Sequence, residues 1–121
     1  MHLIGYVLVW LVSVGIIVVG TFFVRRQEGF AASFGLPVLP QPTARSWWQI
    51  KGVRDIAMGV APITIFFVQP AALPWLILAE TLAPIGDMLV VLTNQGSTAR
   101  ALGVHGATAA GMIVAAILLL L

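Results

Sequence analysis

The sequence predicts an all-α integral membrane protein, an antiparallel four-helix bundle with a short interfacial helix in its first loop. Three observations carry that expectation. Of the 121 residues, 60% are hydrophobic and 8% are charged, whereas a soluble domain carries about 25% charged residues. The apolar residues gather into four stretches, at about 3–24, 47–68, 75–93 and 101–121, each near the ~20 residues that cross a bilayer as a helix. Segments rich in Pro, Gly, Asn and Ser, which interrupt helices, separate the stretches. The length allows one domain over residues 1–121.

The first stretch, Leu3 to Val24, lacks the marks of a cleaved signal. No basic segment precedes it, and it exceeds the ~7–15 residues of a signal core. Arg25 and Arg26 follow it where a small-residue cleavage site would stand, so it is expected to remain as a spanning helix. The loop over 25–46 holds Phe30 and Phe34, four apart, then Gly35 and Pro37. That pattern predicts a short helix lying along the membrane surface on one aromatic face and stopped by glycine. Pro37, Pro40 and Pro42 predict an extended return. The plain reading of this loop is a packed connector, and the alternative is a lid over a site.

Ser46 followed by Gln49 reads as a capping box for the second helix. Pro70 and Pro74 bracket the next turn, since neither continues a helix. Asn94 to Ser97 reads as a turn, with Ser97 or Thr98 capping the last helix. Arg25, Arg26, Arg45 and Lys51 flank the long loop and Arg100 ends the other loop on that side, while the connection from Gln69 to Pro74 is uncharged. The positive-inside rule then puts both basic loops in the cytoplasm and both termini outside the cell membrane. Trp47 and Trp48 fall at the inner interface on this assignment, with Tyr6 and Trp75 near the outer one.

Several function classes are disfavoured. The chain has no cysteine, which removes disulfides, thiolate metal sites and thiol catalysis. A pI near 10 accompanies a formal net charge of only +2, and topology explains the basic loop better than a nucleic-acid surface. No phosphate-binding glycine loop or nucleophile elbow is present. Carboxylates and a histidine occur, but without the spacing that ligates metals, so no metal and no cofactor is expected.

The informative residues are five ionisable groups inside the apolar stretches, Arg54, Asp55, Glu80, Asp87 and His105. Charge at membrane depth is costly, so such residues are paired, hydrated or functional. Helix rise puts Asp55, Asp87 and His105 roughly 10–13 Å below the cytoplasmic ends of three different helices. Gly52, Asp55, Gly59 and Pro62 share one face of the second helix, and Glu80, Pro84, Asp87 and Asn94 share one of the third. His105, Thr108 and Met112 line up on the fourth, beside a small-residue face of Gly103, Ala107 and Gly111 suited to close packing. Pro84 should free the Glu80 carbonyl and bend the third helix. The expected pairs are Arg54 with Asp87 and Asp55 with His105. Lys51 is expected to snorkel to the interface, and Glu80 is expected to lack a partner.

The segment Lys51-Gly-Val-Arg-Asp-Ile-Ala-Met-Gly59, with Gly35-Leu-Pro37, Pro84-Ile-Gly-Asp-Met88 and Leu102-Gly-Val-His-Gly-Ala107, resembles a family of small four-helix membrane proteins of unknown function. More distantly it resembles the DoxX-like membrane proteins. The resemblance spans nearly the whole chain and implies roles for Arg54, Asp55, Asp87 and His105, with no activity attached; Glu80 lies outside these motifs.

Three functions fit. The first is a buried polar site near the cytoplasmic side that binds a lipophilic small molecule, with or without converting it. In it Asp55 and His105 are the catalytic candidates for acid/base chemistry, and Arg54, Asp87, Lys51, Glu80 and Asn94 are ligand-binding or ion-pair residues. The second is a non-catalytic accessory subunit whose charged cluster locks helices or a partner. The third is proton-coupled transport by a homo-oligomer. The expected partners are the lipid bilayer and such a ligand, and not nucleic acid.

Overall fold

The computed structural model of the protein describes residues 1–38 and 41–121, and the regular structure among them is helical. Helix α1 (His2–Phe30) holds the first stretch and α2 (Arg45–Val68) the second. Helices α3 (Leu73–Glu80) and α4 (Leu82–Thr93) together form the third. The fourth is α5 (Thr98–Arg100), a π-helical segment (Ala101–Gly106) and α6 (Ala107–Leu120). Three stretches, His2–Arg26, Pro70–Thr93 and Thr98–Leu120, are long and apolar enough to cross a membrane. Helix α2, expected as a further span, is not among these three; it carries Lys51, Arg54 and Asp55 in its first half and packs along α1. The chain is a multi-pass membrane protein.

Small residues make the tightest contact, between α1 and α2. A Cβ added to Gly20 would sit 2.5 Å from the Gly52 carbonyl oxygen, and one on Gly52 would sit 2.5 Å from the Gly20 oxygen. Gly59 meets the Ser13 backbone in the same way. Without side chains between them, the two backbones approach closely, as membrane helices do where dispersion is the main attraction. The antiparallel register carries on to Tyr6 and Trp10, whose rings meet Phe66 edge-on at 5.1 and 5.8 Å.

Helix α6 returns along α1, α3 packs on α6, and the π segment packs on α4. The second and third stretches are the loosely joined pair. Helix α2 meets α3, to which a short turn connects it, but scarcely approaches α4. Toward the end of the bundle that holds the long loop, α2 and α4 are therefore not in close backbone contact.

Two apolar clusters close the interior. Val9, Leu73, Ile77, Met112, Ala115 and Ala116 fill the end near the short turn. Phe23, Ala31, Phe34, Val91 and Ala101 fill the long-loop end. Between them each helix contributes small or polar buried residues: Ser13 and Gly20, Asp55, Gly59 and Pro62, Thr81 and Pro84, His105 and Ala109.

Several local expectations change. Helix α1 runs past Val24 to Phe30, with a break at Arg26 (φ −134°, ψ 38°). The loop helix is a 3₁₀ turn, Ala31–Phe34, closed by Gly35 at φ 104°, a left-handed conformation that glycine adopts at little cost. The turn is seated in the bundle end, because Ala31 and Phe34 bury against Phe23 and Val91. The capping box at Ser46 is not used. A turn over Pro42–Ala44 leads straight into α2 at Arg45, with no side-chain cap. Ser97 does cap the last helix, its Oγ accepting from the Arg100 N–H at 3.2 Å.

At Thr81 the third stretch is interrupted without leaving right-handed geometry (φ −59°, ψ −22°). The break falls one turn before Pro84, which has no N–H to give the Glu80 carbonyl. The face of Gly103 and Gly111 points outward, with nothing within 4 Å of an added Cβ, because Gly20, Gly52 and Gly59 supply the close crossing instead. Of the expected extended return, Pro40 lies outside the described residues.

Candidate functional site

The polar layer begins on α2. One helical turn separates Lys51 from Asp55, and Lys51 Nζ donates to Asp55 Oδ2 at 2.7 Å. Asp55 lies on the buried Gly52–Gly59 face because glycine neighbours let α1 come close, and its side chain is only 9% exposed. Lys51 does not extend to the interface as expected. Its ammonium turns inward and lies 4.8 Å from the Phe23 ring centre and 5.1 Å from that of Phe34. Ring faces attract cations electrostatically, so two aromatic rings and one carboxylate hold it.

His105 sits in the π segment, where a widened turn is a frequent feature of functional sites. Its Nε2 lies 3.0 Å from the Phe34 carbonyl oxygen. A carbonyl only accepts, so Nε2 carries the hydrogen. The other nitrogen, Nδ1, faces Asp87 Oδ2 at 3.9 Å, which is ion-pair range and too long for a direct hydrogen bond. With Nε2 already protonated, Nδ1 and the carboxylate are both acceptors unless one proton lies on either of them. Asp87 and His105 thus face one another across 3.9 Å without a direct hydrogen bond. The expected pairing is therefore exchanged: Asp55 takes Lys51, and Asp87 faces His105.

Arg54 is exposed and, among the described residues, makes no ion pair. It does not reach Asp87, because α2 and α4 stand apart at this level. Asn94 is also outside the layer. It is exposed at the end of α4, and its Nδ2 donates to the Val90 carbonyl one turn back at 2.8 Å. Glu80 is half-buried at the end of α3, and no partner is found for it among the described residues.

Two contributors were not singled out from the sequence. Phe34 covers the layer from the long-loop end, its ring 4.4 Å from that of His105. The turn carrying it is fastened by Arg100 Nη1 donating to the Ser33 carbonyl at 3.1 Å and by the Ser97 N–H donating to the Gly35 carbonyl at 2.7 Å. Its four-residue spacing from Phe30 was visible, but not its insertion. The second is Ser13, a buried hydroxyl without a partner among the described residues. Thr21, Thr64, Thr81, Thr93 and Thr108 all donate to the carbonyl four residues back. A lone serine in an apolar stretch was the available signal.

Access to the layer is uneven. The Asp87 side chain is 38% exposed, against 9% for His105 and 9% for Asp55. The carboxylate of Asp87 is therefore the most exposed group of the layer. Among the described residues no group of three or more His, Asp or Glu side chains is placed to hold a metal.

No curated protein and no solved structure matches the chain. Residues 13–120 match a protein family described as "Domain of unknown function (DUF4267)". That match takes in α1 from Ser13 onward, the other three helical stretches and every residue of the polar layer, and the chain belongs to the DUF4267 family.

Proposed function

We propose that this protein binds a lipophilic small molecule within the membrane, at the Asp87–His105 pair, through the seam between α2 and α4. The supporting observation is the graded exposure of the layer: the Asp87 side chain is partly open, whereas those of His105 and Asp55 are buried. A ligand arriving from the bilayer meets the carboxylate first. Asp87 and His105 then hold one proton between them, which suits donation to or removal from an oxygen or nitrogen of the ligand. Asp55, neutralised by Lys51, contributes a fixed field beside them.

The lock reading is less well supported. An ion pair that fixes helix register must join two helices, and the short pair here lies within α2. The pair that does span helices, at 3.9 Å, is too long to be a firm tie. For orientation, the exposed Arg25, Arg26, Arg45 and Arg100 all lie at the long-loop end, which supports a cytoplasmic position for that end by the positive-inside rule.

Mass spectrometry of lipophilic molecules carried through purification tests the reading. Wild type should retain a discrete species that Asp87→Asn loses while its helical content and thermal midpoint are kept. Equal retention by both proteins contradicts it.

A further inference from the structure

The loop turn is tied to the bundle through three successive carbonyl oxygens. That of Ser33 accepts from Arg100 Nη1 at 3.1 Å, that of Phe34 from His105 Nε2 at 3.0 Å, and that of Gly35 from the Ser97 N–H at 2.7 Å. All three donors come from the head of the fourth stretch. The backbone bends on both sides of the turn, at Arg26 (φ −134°, ψ 38°) and at Gly35 (φ 104°). The turn also covers the layer, since the Phe34 ring lies 5.1 Å from the Lys51 ammonium and 4.4 Å from the His105 ring. Lifting it uncovers both.

Two of the donors are permanent, because a guanidinium and a backbone amide always carry their hydrogens. His105 is the conditional one. A neutral imidazole has a single N–H, and the partners of its two nitrogens decide which one carries it. Here the partners are the Phe34 carbonyl at 3.0 Å and the Asp87 carboxylate at 3.9 Å. The carboxylate is the stronger acceptor, and an approach of about 1 Å would bring it to ordinary hydrogen-bond distance. The hydrogen then sits on Nδ1, and Nε2 turns a lone pair toward the Phe34 carbonyl, two acceptors face to face. An imidazolium would hold both partners. The other charges near the ring, Lys51 and Asp55 on α2, are engaged with each other.

We infer that the turn over 31–36 is a lid latched by the Nε2–H tautomer of His105, and that Asp87 releases it by drawing the hydrogen to Nδ1. The inference concerns when the layer is uncovered and needs no ligand at Asp87.

Hydrogen exchange of the full-length protein in phosphatidylcholine nanodiscs tests it, read across 31–36 and at the Ser97 amide, whose hydrogen the turn holds. In Asp87→Asn a side-chain amide N–H can donate to Nδ1, which keeps the imidazole hydrogen on Nε2. Exchange at both places should therefore slow by at least about threefold, whereas loss of a plain ion pair would speed it. His105→Ala should speed both by about tenfold, the equivalent of one ordinary hydrogen bond. Asp87→Asn added to His105→Ala should then change nothing further, as coupling through His105 requires. Nitrogen NMR of the histidine ring reads the tautomer directly, with His2→Ala removing the only other histidine. The Nε2–H share should rise in Asp87→Asn. Exchange that is unchanged or faster in Asp87→Asn overturns the latch. A Ser97 amide that ignores His105→Ala while 31–36 exchanges faster overturns a lid moving as one unit. A wild-type ring without hydrogen on Nε2 overturns the latch without any change at Asp87 or His105.

Discussion

Lys51 and Asp55 form a 2.7 Å ion pair one turn apart on the same helix, with the ammonium wedged against the rings of Phe23 and Phe34. The pair joins no two helices through charge. It neutralises a carboxylate on the most closely packed face of the bundle and brings aromatic residues from α1 and the loop turn together around a cation. The polar layer can thus hold Asp55 beside Asp87 without two bare carboxylates facing one another.

That arrangement predicts an asymmetry between single and double substitutions. Lys51→Met leaves the Asp55 carboxylate buried without its counter-charge. Breaking one side of a buried pair costs about 3–5 kcal/mol, and the partial exposure of Lys51 puts the expected loss near the lower end. Lys51→Met combined with Asp55→Leu removes both charges and should recover most of the stability. Thermal unfolding followed by circular dichroism in detergent checks this, and a double variant less stable than Lys51→Met contradicts it.

Glycines should separate into two classes. An alanine at Gly20 or Gly52 drives a methyl group into a facing backbone carbonyl, which cannot move aside as a side chain would. Overpacking of this kind costs about 1–3 kcal/mol, occasionally more. Gly103→Ala and Gly111→Ala meet nothing within 4 Å and should be neutral or stabilising by roughly 0.5–1 kcal/mol, the helical preference for alanine. Unfolding midpoints of the four single variants measure the contrast.

His105→Ala removes the donor to the Phe34 carbonyl and the ring beneath the Phe34 side chain. The 3₁₀ turn then keeps only its ties from Arg100 and Ser97. Hydrogen exchange across 31–36 should speed up by roughly tenfold, the equivalent of one ordinary hydrogen bond. Exchange at Tyr6–Trp10, in the opposite end of the bundle, should not change. Uniform acceleration along the chain contradicts a local latch.

The four helical stretches, the buried Gly52–Asp55–Gly59–Pro62 face and the Ser97 cap were legible in the sequence, because hydropathy, spacing and capping are local properties. Who pairs with whom was not. Arg54 and Asp87 share a depth, but pairing needs α2 and α4 in contact, and the Gly20–Gly52 crossing draws α2 toward α1 instead. Likewise the small residues of the fourth stretch were as suited to close packing as those of α2. Only the assembled bundle decides which set is used. Phe34 read as a membrane-surface residue because the interior space it fills is built by three other segments.

The central claim is that the layer opens to the bilayer beside Asp87 and is closed to water by Phe34. The chain has no cysteine, so Asp87→Cys supplies a single thiol at the opening. In liposomes, a membrane-partitioning alkyl maleimide should label it at least tenfold faster than a charged methanethiosulfonate. Adding Phe34→Ala should raise the charged reagent's rate sharply and change the lipophilic one little. A charged reagent that labels Asp87→Cys as fast as the lipophilic one, with Phe34 intact, would contradict the account.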